Sequence, residues 1–123
     1  MNNEQVEVIR RILELKDTVY DGIAHADLML AGNKFESAYA MIKDVMEGLT
    51  GINASLETVM SEIPDNRIEE YMNKLGDSFE AIVEKYPMKQ TGLALAIMRE
   101  SLIPRYTAWS EEMNRCLRGY TLA

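Results

Sequence analysis

The sequence predicts an all-α protein: an antiparallel up-down-up-down four-helix bundle whose last helix is kinked or broken near Pro104. Three observations carry that expectation. Nine apolar residues, Phe35, Ala38, Ile42, Val45, Leu49, Ile52, Leu56, Val59 and Ile63, recur at unbroken three-four spacing, a heptad seam about 43 Å long at the α-helical rise. Glycine, proline and asparagine punctuate the chain into four amphipathic segments joined by short connections, which set consecutive helices antiparallel. No stretch shows the period-two alternation of a half-buried strand.

Helix one is expected from about Asn3 to Ala31. Ile9, Ile12, Val19, Ile23, Ala26 and Leu30 form its stripe, widened by Leu13 and Tyr20. Asn2 with Gln5 makes an N-terminal capping pair, and Gly32 stands where a left-handed C-terminal residue belongs. Asn33 with Glu36 then reads as the capping box of helix two, which carries the seam and ends before Pro64 because proline disfavours helical geometry in the residue ahead of it. Asn66 with Glu69 gives a further capping box for helix three, with the stripe Ile68, Met72, Leu75, Phe79, Ile82 and Tyr86 running up to Pro87.

Helix four begins between Pro87 and Gly92 and runs to Leu117 or Arg118, with Gly119 as its terminator and Arg115 and Arg118 at the negative end of the helix dipole. Its seam is Leu95, Met98, Leu102, Tyr106, Trp109, Met113 and Leu117. Pro104 lies where the spacing slips; its ring opposes the carbonyl of Glu100, so a kink or two shorter helices are expected. The seam of helix two outruns helix three, which leaves a second arrangement open: helices one and two as a long hairpin paired with another copy of the chain.

Charge narrows the function classes. The net charge is −7, against the clustered cationic surface that displaces phosphate counterions, so no nucleic-acid partner is expected. Residues 1 to 31, 33 to 63 and 65 to 86 each carry −3, whereas residues 87 to 123 carry +2. A basic last segment beside acidic neighbours is self-complementary within one bundle, or suits an acidic partner. The opening Met-Asn-Asn-Glu-Gln lacks the features of a signal peptide, and no apolar run is long enough to span a bilayer, so a cytoplasmic protein without membrane partners is expected. The single cysteine, Cys116, forms no internal disulfide and reads as a small apolar residue.

Chemistry-bearing constellations are sparse. Asp17, Asp21 and His25 lie at i, i+4 and i+8 on one helical face, a spacing that offers two carboxylates and an imidazole to a metal. A di-iron bundle needs Glu-x-x-His pairs on two helices, and His25 is the only histidine. A Ser or Cys triad likewise needs a base, and His25 is the sole imidazole available to any such nucleophile. Glu69-Glu70 and Glu111-Glu112 are adjacent pairs whose side chains diverge by about 100° on a helix, unlike the facing carboxylates of metal-assisted phosphate chemistry. No catalytic residue, metal or cofactor is expected.

The margin of the helix-two seam is more unusual. Tyr39, Met41, Met46 and Met60 broaden it, and Gly48 and Gly51 interrupt it at about 1 kcal/mol each relative to alanine. Beside the seam, Gly48 would let another backbone approach; Gly51 sits further round with no such reason. Flexible thioethers suit both an irregular core and a groove that accepts a partner helix. Tyr39, Met41, Met46, Gly48 and Met60 are therefore the candidate partner-binding residues.

The first helical hairpin also resembles the FliS family of flagellar secretion chaperones. The residues that carry the resemblance are Tyr20-Asp21-Gly22, the turn Gly32-Asn33-Lys34-Phe35-Glu36 followed by Ala38, the apolar series from Leu49 to Leu56, and Trp109. The resemblance implies a small acidic cytoplasmic bundle whose exterior grooves receive amphipathic helices of a client, and it assigns no client-binding residue. The expectation is thus a non-enzymatic adaptor or chaperone that binds a protein partner, or itself, through apolar grooves along helix two. The alternative is a small-molecule or metal-binding bundle centred on Asp17, Asp21 and His25.

Overall fold

The computed structural model describes residues 1–122, and the chain folds as four helical rods with no strand among the described residues. The first rod is α1 (Asn3–Ala31). Its first turn is closed by the expected reciprocal cap: Asn2 Oδ1 accepts the Gln5 N–H at 2.8 Å, and the Asn2 N–H donates to Gln5 Oε1 at 2.9 Å. The turn that follows departs from expectation in one residue. Gly32 has φ −86°, and it is Asn33, at φ 60°, that adopts the left-handed conformation. The Lys34 N–H donates to Met29 O at 2.8 Å and the Asn33 N–H to Leu30 O at 3.0 Å, a Schellman closure that satisfies two terminal carbonyls. With Asn33 so used, the Asn33/Glu36 capping box does not form, and α2 (Phe35–Glu57) starts without a side-chain cap.

All nine seam residues are buried, yet α2 ends at Glu57, short of Pro64. A 3-10 turn (Met60–Glu62) carries the last part, and this tighter path still places Val59 and Ile63 in the core. The third rod is α3 (Ile68–Val83). Asn66 Oδ1 accepts the Ile68 N–H at 3.0 Å, but the reciprocal bond from Glu69 is not made. The neighbouring Arg67 N–H donates instead to Glu112 Oε2, at 2.7 Å, from the far end of the chain.

The fourth rod comprises α4 (Thr91–Ile97), a π turn (Met98–Leu102) and α5 (Ile103–Leu117) without an intervening loop. The wider turn directly precedes Pro104, where a regular α-helix would press the proline ring against the Glu100 carbonyl. Its extra residue is absorbed by two successive spacings of four, Met98 to Leu102 to Tyr106, and all three side chains are buried. Gly119 does not terminate the rod. It has no positive φ and lies inside a 3-10 turn (Arg118–Thr121).

The packing of the rods is uneven, and this positions the site. α1 and α2 lie against one another along their length, and two glycines set how closely. An added Cβ on Gly22 would sit 2.7 Å from Val45 Cγ2, and one on Gly48 would sit 3.2 Å from Val19 Cγ2. Gly48 therefore has the packing reason its position suggests. For Gly51, where a Cβ would meet nothing within 4 Å, the structure supplies none.

On the opposite side α3 packs on the fourth rod. There Arg105 Nη1 donates to Lys74 O at 2.8 Å and to Ser78 Oγ at 3.0 Å, and Ser78 and Ser101 share a 2.7 Å hydroxyl bond. α1 also meets α4 and α5, whereas α2 barely touches α3. The bundle is closed on three sides and parted on the fourth.

Candidate functional site

The parting between α2 and α3 is pinned at both ends. At one end Tyr39 stacks on Tyr86 with ring centroids 4.1 Å apart and planes inclined by 21°, and Phe35 adds a tilted contact to the same ring at 5.8 Å. At the other, the 3-10 turn brings Met60 beside Asn66, whose Nδ2 lies 3.7 Å from the thioether sulfur. Between these ends a groove of about 270 Å³ remains uncovered.

Its floor is Leu49 from α2 with Leu75 and Phe79 from α3, all core residues. Its walls are Met46, Thr50 and Asn53 on one side and Met72, Gly76 and Glu80 on the other. The periodicities explain the geometry. Met46 and Asn53 flank Leu49 on α2, and Met72, Gly76 and Phe79 follow one face of α3 at helical spacing. Gly76 widens the groove because a Cβ there would meet nothing within 4 Å. A shallower depression of Lys43, Met46, Glu47 and Thr50 continues it over the outer face of α2.

Of the five candidate partner-binding residues, the structure therefore brings one, Met46, into this groove. Tyr39 and Met60 bracket it, half-buried. Met41 and Gly48 face α1: the Met41 sulfur lies 3.7 Å from the position of a Gly22 Cβ, and Gly48 opposes Val19. Met72, Gly76 and Phe79 were not singled out from the sequence. Their signal was available in the stripe of helix three, where Met72 and Phe79 already stood, with Gly76 beside them.

Asp17 and Asp21 meet a different surface, a cleft of about 390 Å³ between α1 and α5 shared with Tyr20, Tyr106, Thr107, Ser110 and Glu111. His25 does not line it. Among the described residues no three His, Cys, Asp or Glu side chains converge as metal ligands.

Two groups displaced far from ordinary titration serve the fold. Glu112, buried at 7% exposure, receives Arg115 Nε at 2.6 Å, Arg115 Nη2 at 2.8 Å and the Arg67 N–H at 2.7 Å. The Arg115 guanidinium foremost, with the Arg67 amide, holds its carboxyl down at about 2. Burial foremost, with the Asp17 charge nearby, pushes the Tyr106 phenol above the ordinary tyrosine range, and its hydroxyl donates to the Lys16 carbonyl. Cys116 is half-buried and its thiol is raised by burial, the opposite of an activated nucleophile. No helix among the described residues is long and apolar enough to cross a membrane.

A family model described as a domain of unknown function, DUF8042, matches residues 7–112, and the chain belongs to that family. The match takes in most of α1, the whole of α2 and α3 and most of the fourth rod, so both walls of the groove lie inside it. No curated protein and no solved structure matches the chain.

Proposed function

We propose that this member of the family is a non-enzymatic, cytoplasmic helical-bundle adaptor or chaperone that binds a protein partner through the apolar groove between α2 and α3. One observation carries the reading: the groove opens onto core residues. Leu49, Leu75 and Phe79 form its floor because α2 packs along α1 while α3 packs on the fourth rod; the floor is nearly closed off from solvent, and the half-buried Met46 and Met72 supply the apolar surface that a partner would meet. Methionine walls suit such a surface, since an unbranched thioether repacks around different side chains at low cost. The commitment of Glu112 and Tyr106 to structural hydrogen bonds supports a role without catalysis.

The test fills the groove without touching the core. Gly76→Trp places an indole between the walls at an exposed helical position, and Gly51→Trp adds the same side chain to the outer face of α2. In affinity capture from the native host, a partner retained by wild type and Gly51→Trp and lost by Gly76→Trp supports the reading. A partner set indifferent to Gly76→Trp contradicts it. Recovery of a second copy of the chain, again sensitive to Gly76→Trp, would identify the partner as the protein itself.

A further inference from the structure

The charges around the groove say what kind of partner fits it, and this inference rests on the groove reading above. Glu47 and Glu80 line the groove and its extension. Glu57 stands one turn beyond Asn53 on α2, and Glu69 one turn before Met72 on α3. All four are exposed, and none has an ion-pair partner among the described residues. The one cation lining the groove, Lys43, leans over the Tyr39 ring at 5.7 Å. Four carboxylates elsewhere on the bundle do have a cation in contact, Glu36 with Lys89, Asp27 with Arg99, Glu70 with Arg67 and Glu112 with Arg115. The apolar floor is thus ringed by unmatched negative charge.

We infer that the occupant is a short amphipathic helix of another protein with basic residues flanking its apolar face. The walls run from Met46 to Asn53 and from Met72 to Glu80, about 11 Å at the helical rise, which accommodates roughly two turns with apolar anchors at i, i+4 and i+7. A second copy of this chain is a poor fit. Its first three segments are each net negative, and the arginines of its basic last segment are largely engaged: Arg99 by Asp27, Arg105 by Lys74 O and Ser78, and Arg115 by Glu112.

Selection from a display library of short helical peptides with fixed apolar anchors and randomised flanks tests this with the full-length protein. The expected result is enrichment of Lys and Arg in the flanks, with binding that weakens as salt rises. Gly76→Trp should reduce it by about tenfold or more, whereas Gly51→Trp should not. The double variant Glu47→Lys, Glu80→Lys should shift the enriched flanks toward Asp and Glu, since a few exposed ion pairs together are worth about tenfold in affinity. Neutral or acidic flanks selected by wild type, with binding still blocked by Gly76→Trp, would overturn the basic helix and leave the groove standing. Peptides that bind wild type, Gly51→Trp and Gly76→Trp alike, or no enrichment at all, would overturn both.

Discussion

Glu112 should be the keystone between the start of α3 and the fourth rod, and its removal has a calculable cost. Its Oε2 accepts the Arg67 N–H at the start of α3, and both of its oxygens receive the Arg115 guanidinium. A hydrogen bond from an otherwise orphaned helix N–H to a carboxylate is worth about 1.5 to 3 kcal/mol. Arg115 is 61% exposed, so solvent screens the ion pair and it adds little to that. Arg67 is itself exposed, and water recovers part of the lost bond, which puts Glu112→Ala at about 2 to 3 kcal/mol. Glu112→Gln keeps an acceptor and should cost about 1 kcal/mol, and Arg115→Ala, which removes only the solvent-screened partner, should cost less than Glu112→Ala.

The pH dependence follows from the direction of the shift. A carboxyl held at about 2 in the folded protein and near its ordinary value when unfolded stabilises the fold above that ordinary value. Its contribution fades as pH falls toward about 2. Urea and thermal unfolding followed by circular dichroism should therefore show Glu112→Ala melting roughly 10 °C below wild type at neutral pH, with the gap closing in acid. A Glu112→Ala protein as stable as wild type would refute the cap, as would a gap that does not narrow as pH falls toward about 2.

Two further expectations come from the closed side of the bundle. Gly22→Ala should destabilise by about 1 to 3 kcal/mol, because the new methyl meets Val45 Cγ2 at 2.7 Å and the overlap outweighs alanine's helix propensity, whereas Gly51→Ala, facing open space, should stabilise by about 0.5 to 1 kcal/mol. Denaturant midpoints for the pair read both signs, and equal effects would contradict the close crossing of α1 and α2. Tyr106→Phe should cost about 1 kcal/mol for its bond to the Lys16 carbonyl. In a spectrophotometric titration it should remove the phenol that ionises above the ordinary tyrosine range; loss of a normally titrating phenol would contradict its burial.

Features set by neighbours in sequence were legible beforehand, and those set by distant residues were not. The Asn2–Gln5 cap and the burial of every residue from Phe35 to Ile63 on the seam follow from local spacing, and both appear as read. The start of α3 is only half set locally: Asn66 accepts the Ile68 N–H as its spacing suggests, but Glu69 makes no reciprocal bond, and the Arg67 N–H finds its acceptor in Glu112, 45 residues away. At the first turn Asn33 took the left-handed conformation that was assigned to Gly32, a substitution asparagine permits because its short polar side chain tolerates that region.

The candidate site was half legible for a similar reason. Spacing shows that Met41, Met46, Gly48 and Met60 border a seam, but not which neighbour covers each border. That was decided by Gly22 and Gly48, which draw α2 toward α1, and by the contacts of Arg105 and Ser78 that tie α3 to the fourth rod. Met41 and Gly48 were thereby turned toward α1, and Met46 was left on the groove with Met72 and Gly76.

The central claim, that the parted side of the bundle is where a partner binds, is tested most directly by site-specific photocrosslinking in the native host. A photoreactive phenylalanine analogue placed at Thr50 or Gly76 reports on the groove, and the same analogue at Gly51 reports on the outer face of α2. The account predicts one discrete protein adduct from Thr50 and Gly76 and none from Gly51. Adducts of equal yield from all three positions, or none from the groove, would contradict it.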